Sequence, residues 1–232
     1  MKVAEGSVLI VGGTAGLGRE VARHYQAQGA PVIITGRDPR RSAEVAADIG
    51  EGVTGLGFDL GQPESIAGAL GEVGSISRLV LAAIARDNNP VRDYTITEAV
   101  KLTTMKLVGY TETVHALIGR LSNESAVVVF GGRAKDRPYP GSTTVTTVNG
   151  GVSSLIRTLA IELAPIRFNA IHPGIVGDSP YWKDKPLDGF IARTPTGRLA
   201  TMADIVNATV FLLENPALNG VNLYVDGGWM LM

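Results

Sequence analysis

Short apolar runs recur along the chain, and each is followed by a longer stretch whose apolar positions fall three or four apart. Ser7–Val11 (SVLIV) is continuously apolar after its serine, as a strand covered on both sheet faces requires. Pro31–Thr35, Val53–Phe58, Leu79–Ala83, Ala126–Phe130, Arg167–Ile171 and Asn222–Val225 read as further strands. Between them the spacing predicts helices over Leu17–Gln28, Arg41–Ile49, Glu64–Leu70, Thr97–Leu121, Thr143–Ala164 and Ala203–Glu214. In the first of these, Leu17, Val21 and Tyr25 share one face. Regular alternation of strand and helix implies right-handed crossovers and a parallel sheet. The expected architecture is one doubly wound α/β domain, with about seven strands and helices on both faces. Gly177–Ala200 breaks the rhythm: carrying Pro180, Pro186 and Pro195, it reads as a long loop or a broken helical lid.

Composition narrows the function classes. With 232 residues, 45% of them hydrophobic and 19% charged, the chain can bury a core without a metal or disulfide staple. Lysine plus arginine number 21 against 22 acids, so no net field steers the protein toward nucleic acid or an anionic membrane. Cysteine is absent, which excludes disulfides and thiolate chemistry. His24, His115 and His172 lie far apart without metal-ligand spacing, so no metal is expected. No apolar run approaches the roughly 20 residues of a membrane span. The opening MKVAEGSVLIVGG enters a strand within a few residues and leaves no room for a signal peptide. A cytoplasmic protein is expected.

The sharpest local signal follows the first strand: Val11-Gly12-Gly13-Thr14-Ala15-Gly16-Leu17-Gly18. Gly12 permits a tight turn, Gly16 lets backbone approach a pyrophosphate, and Gly18 lets helix and strand pack closely. Unpaired amides at the head of the following helix then face the phosphates. A glycine cluster alone also makes plain turns, but here strand, spacing and helix agree. At the end of the second strand, where an NAD site places an acid for the ribose, the chain reads Thr35-Gly36-Arg37-Asp38. Arg37, helped by Arg40 or Arg41, suits a 2′-phosphate and favours NADP(H) over NAD(H). Asp38 is the alternative, an acid that serves the ribose after all. Asp59-Leu60, after the third strand, either meets adenine or lets Asp59 cap the next helix.

The glycine spacing, Ala160-Ile161-Glu162-Leu163-Ala164-Pro165, Arg167-Phe168-Asn169-Ala170-Ile171-His172-Pro173-Gly174, Gly197-Arg198 and Val225-Asp226-Gly227-Gly228 occur in order. Together they resemble the short-chain dehydrogenase/reductase family over essentially the whole chain, with Val11 where that family's motif has threonine. The resemblance implies that Thr14, Ala15 and Leu17 complete the phosphate loop. It further implies that Ala82, Ala83, Pro173, Gly174 and Val176 line the cofactor, and that Asp178 and Ser179 stand where a threonine contacts the carboxamide.

It also implies an Asn–Ser–Tyr–Lys catalytic set, from which this chain departs. Counted from Glu162, the tyrosine falls on Val145 and the lysine on Asn149; the serine falls on Gly132 and the asparagine on Lys106. Valine and glycine carry no transferable side-chain proton. Lysine and asparagine stand as though exchanged. Lys106 either projects its ammonium into the cavity to polarise an oxygen or is a solvated helix residue. Tyr139 is either a displaced acid or a packed loop tyrosine, and His172 fixes backbone near the cofactor rather than moving a proton. Arg133, Lys135 and Arg137 either hold an acidic substrate or form a solvated loop face with Asp136. Tyr181 and Trp182 either cover a substrate or fill a core or subunit contact.

Three functions compete. One is an NADP(H)-dependent oxidoreductase reducing a carbonyl or activated C=C of a small, possibly acidic molecule through a rebuilt acid–base site. The others are an NADP(H)-binding sensor or scaffold without turnover, and a non-redox enzyme. The apolar Trp229-Met230-Leu231-Met232 and the resemblance imply a homodimer or homotetramer.

Overall fold

The computed structural model describes residues 6–232. Residues 1–5, on which the expectation of no signal peptide leans, lie outside the described residues. Seven strands, β1 (Ser7–Val11), β2 (Val32–Gly36), β3 (Val53–Gly57), β4 (Ile76–Leu81), β5 (Leu121–Phe130), β6 (Arg167–Pro173) and β7 (Asn222–Val225), form one sheet. Its order is β3-β2-β1-β4-β5-β6-β7, and every neighbouring pair is parallel. This is the single doubly wound α/β domain that the alternating pattern predicts.

Strand alternation sends Val8 and Ile10 to one face and Leu9 and Val11 to the other. The first face is covered by α1 (Gly16–Gln26), α2 (Pro39–Ile49) and α8 (Met202–Glu214), through Val21, Tyr25, Ala46, Ile205 and Leu212. The second carries α3 (Ile66–Ala69), α5 (Tyr110–Leu117) and α6 (Thr143–Glu162), through Ile66, Tyr110, Val152 and Ile156. Two buried layers therefore sandwich the sheet.

The strand order reverses between β1 and β4, and their carboxyl ends are level, with Val11 opposite Leu81. Chain leaving β1 at Gly12 and chain leaving β4 at Ala82 thus start side by side, and Ala82 donates its amide to the Val11 carbonyl at 2.8 Å. Such a switch point opens a crevice at the carboxyl edge of an open α/β sheet.

The expected helix over Thr97–Leu121 is three segments. α4 (Ile96–Thr103) passes into a π-helical stretch, Thr104–Gly109, before α5, and a 3₁₀ turn at Ile118–Arg120 ends the run. Arg120 reaches the carbonyls of Leu70 and Gly71, which pulls the chain off the helix axis and lets β5 begin at Leu121. Gly177–Ala200 is an excursion pinned at its base, where the Gly177 amide bonds the Ala200 carbonyl at 2.9 Å. It consists of turns and one short helix, α7 (Asp188–Ile191).

Far from the crevice, buried Arg78 of β4 faces Glu214 at the end of α8, with Nε–Oε1 at 3.0 Å and Nη2–Oε2 at 2.8 Å. The Tyr25 hydroxyl adds a third bond to the same carboxylate at 2.8 Å. Among the described residues, no helix is long and apolar enough to cross a membrane.

Candidate functional site

The loop Gly12–Gly16 hangs from the switch point. Gly12 has φ +85°, and a Cβ there would stand 2.6 Å from the Ala83 amide, so only glycine lets the two exit loops touch. Gly16 has φ +53°, and a Cβ on it would meet nothing within 4 Å. The backbone is therefore bare on the side that faces the crevice. Gly18 packs against the Gly12 carbonyl, which seats α1 tightly on β1.

The three helices on this face end differently. Asp38 caps α2 and Thr201 with Asp204 caps α8 in a reciprocal box. α1 begins at Ala15 with no side-chain cap and no acid in its first turn. Its leading amides thus lack side-chain acceptors directly after the glycine loop, which is the arrangement that receives a diphosphate. Thr14 lies beside Gly36 at the carboxyl end of β2.

Arg37, just after β2, is exposed, as are Arg40 and Arg41 in the first turn of α2. Among the described residues, none of the three pairs with a carboxylate. Asp38, the alternative ribose ligand, spends Oδ1 on the amides of Arg40 at 2.9 Å and Arg41 at 3.4 Å. Asp59 accepts the Gly61 amide at 2.9 Å and so closes a turn, while Leu60 is buried in the core.

On the other side of the crevice, Tyr110 of α5 donates to the Ala83 carbonyl at 2.5 Å and holds Ala82-Ala83 against the glycine loop. The Gly174 amide bonds the Val225 carbonyl at 2.8 Å, fixing Pro173-Gly174 at the end of β6. Val176 is buried and bridges to Ala200. Asp178 accepts the Met202 amide at 2.8 Å, and Ser179 donates to the Val176 carbonyl at 2.7 Å. Both side chains brace the excursion, although the Ser179 oxygen keeps a free acceptor side.

Of the four positions counted as catalytic, Lys106, Gly132 and Asn149 meet at the exit of β5. Lys106 sits in the π-helical segment and is only 5% exposed, so it is no solvated helix residue. Its ammonium donates to the Phe130 carbonyl at 2.6 Å and lies 5.0 Å from the Tyr110 ring. Burial without a countercharge pulls its pKa down to about 7. Asn149 of α6 is buried too, and a Cβ on Gly132 would come within 2.7 Å of its Nδ2. Val145 sits half-buried one turn earlier. His172 is fully buried, with Nε2 2.8 Å from Asn222 Oδ1 and Nδ1 unpartnered against Gly131. Burial holds this imidazole below its usual pKa, which suits a neutral ring that fixes backbone. Tyr139 is 54% exposed, with its amide bonded to Ser142 Oγ, and is not packed as a loop anchor.

The basic cluster is neither a solvated face nor a free anion site. Arg133 and Arg137 stack on Trp229, 4.2 and 3.6 Å from the ring centre, and Arg137 also donates to the Trp229 carbonyl at 2.7 Å. Lys135 contacts Asp136 and Tyr224. These cations therefore tie the loop after β5 to the segment around β7. In the excursion, Tyr181 meets Trp182 edge-on and Trp182 meets Phe190, so the aromatics form their own small cluster.

Residues 12–230 match the family model described as Enoyl-(Acyl carrier protein) reductase. The 3-oxoacyl-(acyl-carrier-protein) reductase of Bos taurus is 31% identical, over 96% of this chain and 97% of its own. The chain belongs to the short-chain dehydrogenase/reductase family. As a short-chain dehydrogenase/reductase it is an oxidoreductase by type. The corresponding Haemophilus influenzae enzyme is 29% identical over 96% of this short-chain dehydrogenase/reductase and 97% of its own chain. A solved short chain dehydrogenase/reductase family protein superposes with a TM-score of 0.89 at 30% identity, covering all of both chains. A 3-ketoacyl-(acyl-carrier-protein) reductase from Brucella melitensis, solved in complex with NADH, gives 0.86 at 26% identity and covers 99% of this chain and 100% of its own.

Proposed function

We propose that this protein is an NADP(H)-dependent oxidoreductase that reduces a carbonyl or an activated C=C bond of a small molecule through a non-standard acid–base site. The observation that carries the reading is the uncapped head of α1 beside a bare Gly16, with Arg37 exposed and unpaired at the adenosine end. The fit extends along the crevice. The α1 amides hold the diphosphate, Arg37 the 2′-phosphate, and Asp59, Ala82, Ala83, Pro173, Gly174 and Val176 line the rest. Asp178 acts on the cofactor only by bracing this wall, whereas Ser179 offers its oxygen to the carboxamide.

The bound nicotinamide supplies a hydride, and the protein supplies position and charge. Lys106 acts from beneath: its ammonium polarises the Phe130–Gly132 backbone at the exit of β5, where Asn149 replaces a side chain on Gly132. That relatives bearing the printed names of 3-oxoacyl carrier-protein reductases match over their whole length supports a 3-oxoacyl thioester as the first substrate to try. We further propose assembly as a homodimer or homotetramer, in which exposed Val100 and Val108 of the α4–α5 run become covered.

Calorimetric titration with NADPH and NADH, followed by NADPH oxidation across ketones, enones and acetoacetyl-CoA, tests the reading. Tighter NADPH binding and turnover of one class are expected. Tighter NADH binding overturns the cofactor assignment. Bound NADPH that no substrate class oxidises favours a sensor or scaffold, a reading supported by the inert side chains at Gly132 and Val145.

A further inference from the structure

Reduction of a carbonyl needs a proton at oxygen as well as a hydride at carbon. Several groups around the β5 exit are poorly placed to give one. Lys106 is buried and bonded to Phe130, and Tyr110 is buried, bonded to Ala83, and pushed by burial far above the usual tyrosine range. Val145 and Gly132 have no proton to give.

Tyr181 differs from all of them. It stands on the excursion that follows β6, 41% exposed, with its ring between two cations. The Arg86 guanidinium carbon lies 3.2 Å from the ring centre, and Lys185 Nζ lies 3.1 Å from it. Arg86 belongs to the loop leaving β4. Since β5 lies between β4 and β6 in the sheet, the two segments that meet at the Arg86–Tyr181 contact follow the strands on either side of β5. No ion pair among the described residues involves Arg86 or Lys185, so the phenol is their shared neighbour.

We infer that Tyr181 is the proton donor to the substrate oxygen, with Lys185 and Arg86 as the cations that position and activate its phenol. The inference rests on the oxidoreductase reading above. In the step it describes, hydride from the reduced nicotinamide forms the new C–H bond and the C=O π pair moves onto oxygen. The Tyr181 Oη–H bond breaks, its proton forms the product hydroxyl, and the phenolate recovers a proton from water. Substrate is reduced, nicotinamide is oxidised, and one solvent proton is consumed.

The electrostatics agree with the geometry. Lys185 first of all, as the cation stacked on the ring, draws the phenol below the usual tyrosine range; burial opposes this weakly and Arg86 adds to it. The other group packed on the ring is the neutral Trp182. Among the described residues, no cation stacks on the Tyr139 ring. The structure therefore favours Tyr181 over Tyr139 as the displaced acid.

The test has two readouts. Ultraviolet titration of tyrosinate in the wild type, Tyr181→Phe and Lys185→Met reads the phenol without any cofactor. One phenol should ionise below the ordinary value of about 10, vanish in Tyr181→Phe and move upward in Lys185→Met. NADPH oxidation with acetoacetyl-CoA reads the chemistry. Tyr181→Phe should lower kcat by roughly 10²-fold or more with NADPH affinity unchanged. Lys185→Met should move the alkaline limb of the rate profile upward, and Lys185→Arg should restore it. Wild-type kcat in Tyr181→Phe, or no early phenol, overturns this inference and leaves the oxidoreductase standing. A wild type that fails to oxidise NADPH with every carbonyl compound and every enone tried overturns both.

Discussion

Lys106 Nζ rests 2.6 Å from the Phe130 carbonyl oxygen, and no carboxylate helps to hold its charge. The folded protein thus binds this proton less tightly than the unfolded chain, about 7 against a usual 10.5. Between those values the unfolded state carries more protons, so stability rises with pH, by at most about 1.4 kcal/mol per unit from this group. Below about pH 7 the penalty is present in full. Chemical denaturation at several pH values should show wild type gaining on Lys106→Met from pH 7 to 10. A constant gap would mean that Lys106 keeps an ordinary pKa.

Arg37 and Asp38 are neighbours with separate jobs. Arg37→Ala should weaken NADPH binding by about tenfold or more, the loss of one charge-assisted contact, and leave NADH binding nearly unchanged. Asp38→Ala should instead cost about 1 kcal/mol of stability through the lost α2 cap, with the ratio of the two affinities preserved. Calorimetry on both variants separates the roles, and a preference that moves with Asp38 would reassign the ribose contact.

The Arg78–Glu214 fork is the costliest ion pair to break. Glu214→Ala leaves a buried guanidinium and the Tyr25 hydroxyl without their shared acceptor, which should cost about 3 kcal/mol. Arg78 and Tyr25 hold the Glu214 carboxyl below its usual range, so its contribution is present above the ordinary carboxylate pKa and lost as pH falls further. Thermal melts at neutral and acid pH should show the wild-type advantage over the variant shrinking toward the acid end.

What the amino-acid string disclosed, and what it withheld, follows the range of the forces involved. The glycine loop was legible because each glycine answers a local backbone demand, whether a positive φ at Gly16 or the contact between Gly12 and Ala83. The strands were legible as apolar runs, but β5 begins at Leu121 followed by the polar Ser122–Ser125, which carry no such run. Apolar spacing through Ile118 and Leu121 suggested an unbroken helix; the break comes from Arg120 reaching carbonyls about fifty positions away, a tertiary bond without a local trace. The π-helical turn that sinks Lys106 has no propensity signature either, so its burial was invisible beforehand. Arg78 falls just before the apolar run Leu79–Ala83, and nothing local marks it as part of β4 or points to its partner 136 positions along the chain. Tyr181 reads from the sequence as substrate cover or as a core or subunit contact, because its contact with Arg86 is tertiary and leaves no local trace.

The stacking of Arg133 and Arg137 on Trp229 has a kinetic side. The loop that carries Gly131 and Gly132 is separated from its aromatic clamp by 92 positions, with α6, β6 and α8 between. Closing so distant a contact must wait until the far edge of the sheet has docked. The neighbourhood of Asn149 and His172 should therefore be among the last parts of the molecule to acquire native order during refolding, and among the first to loosen when the β7 edge frays.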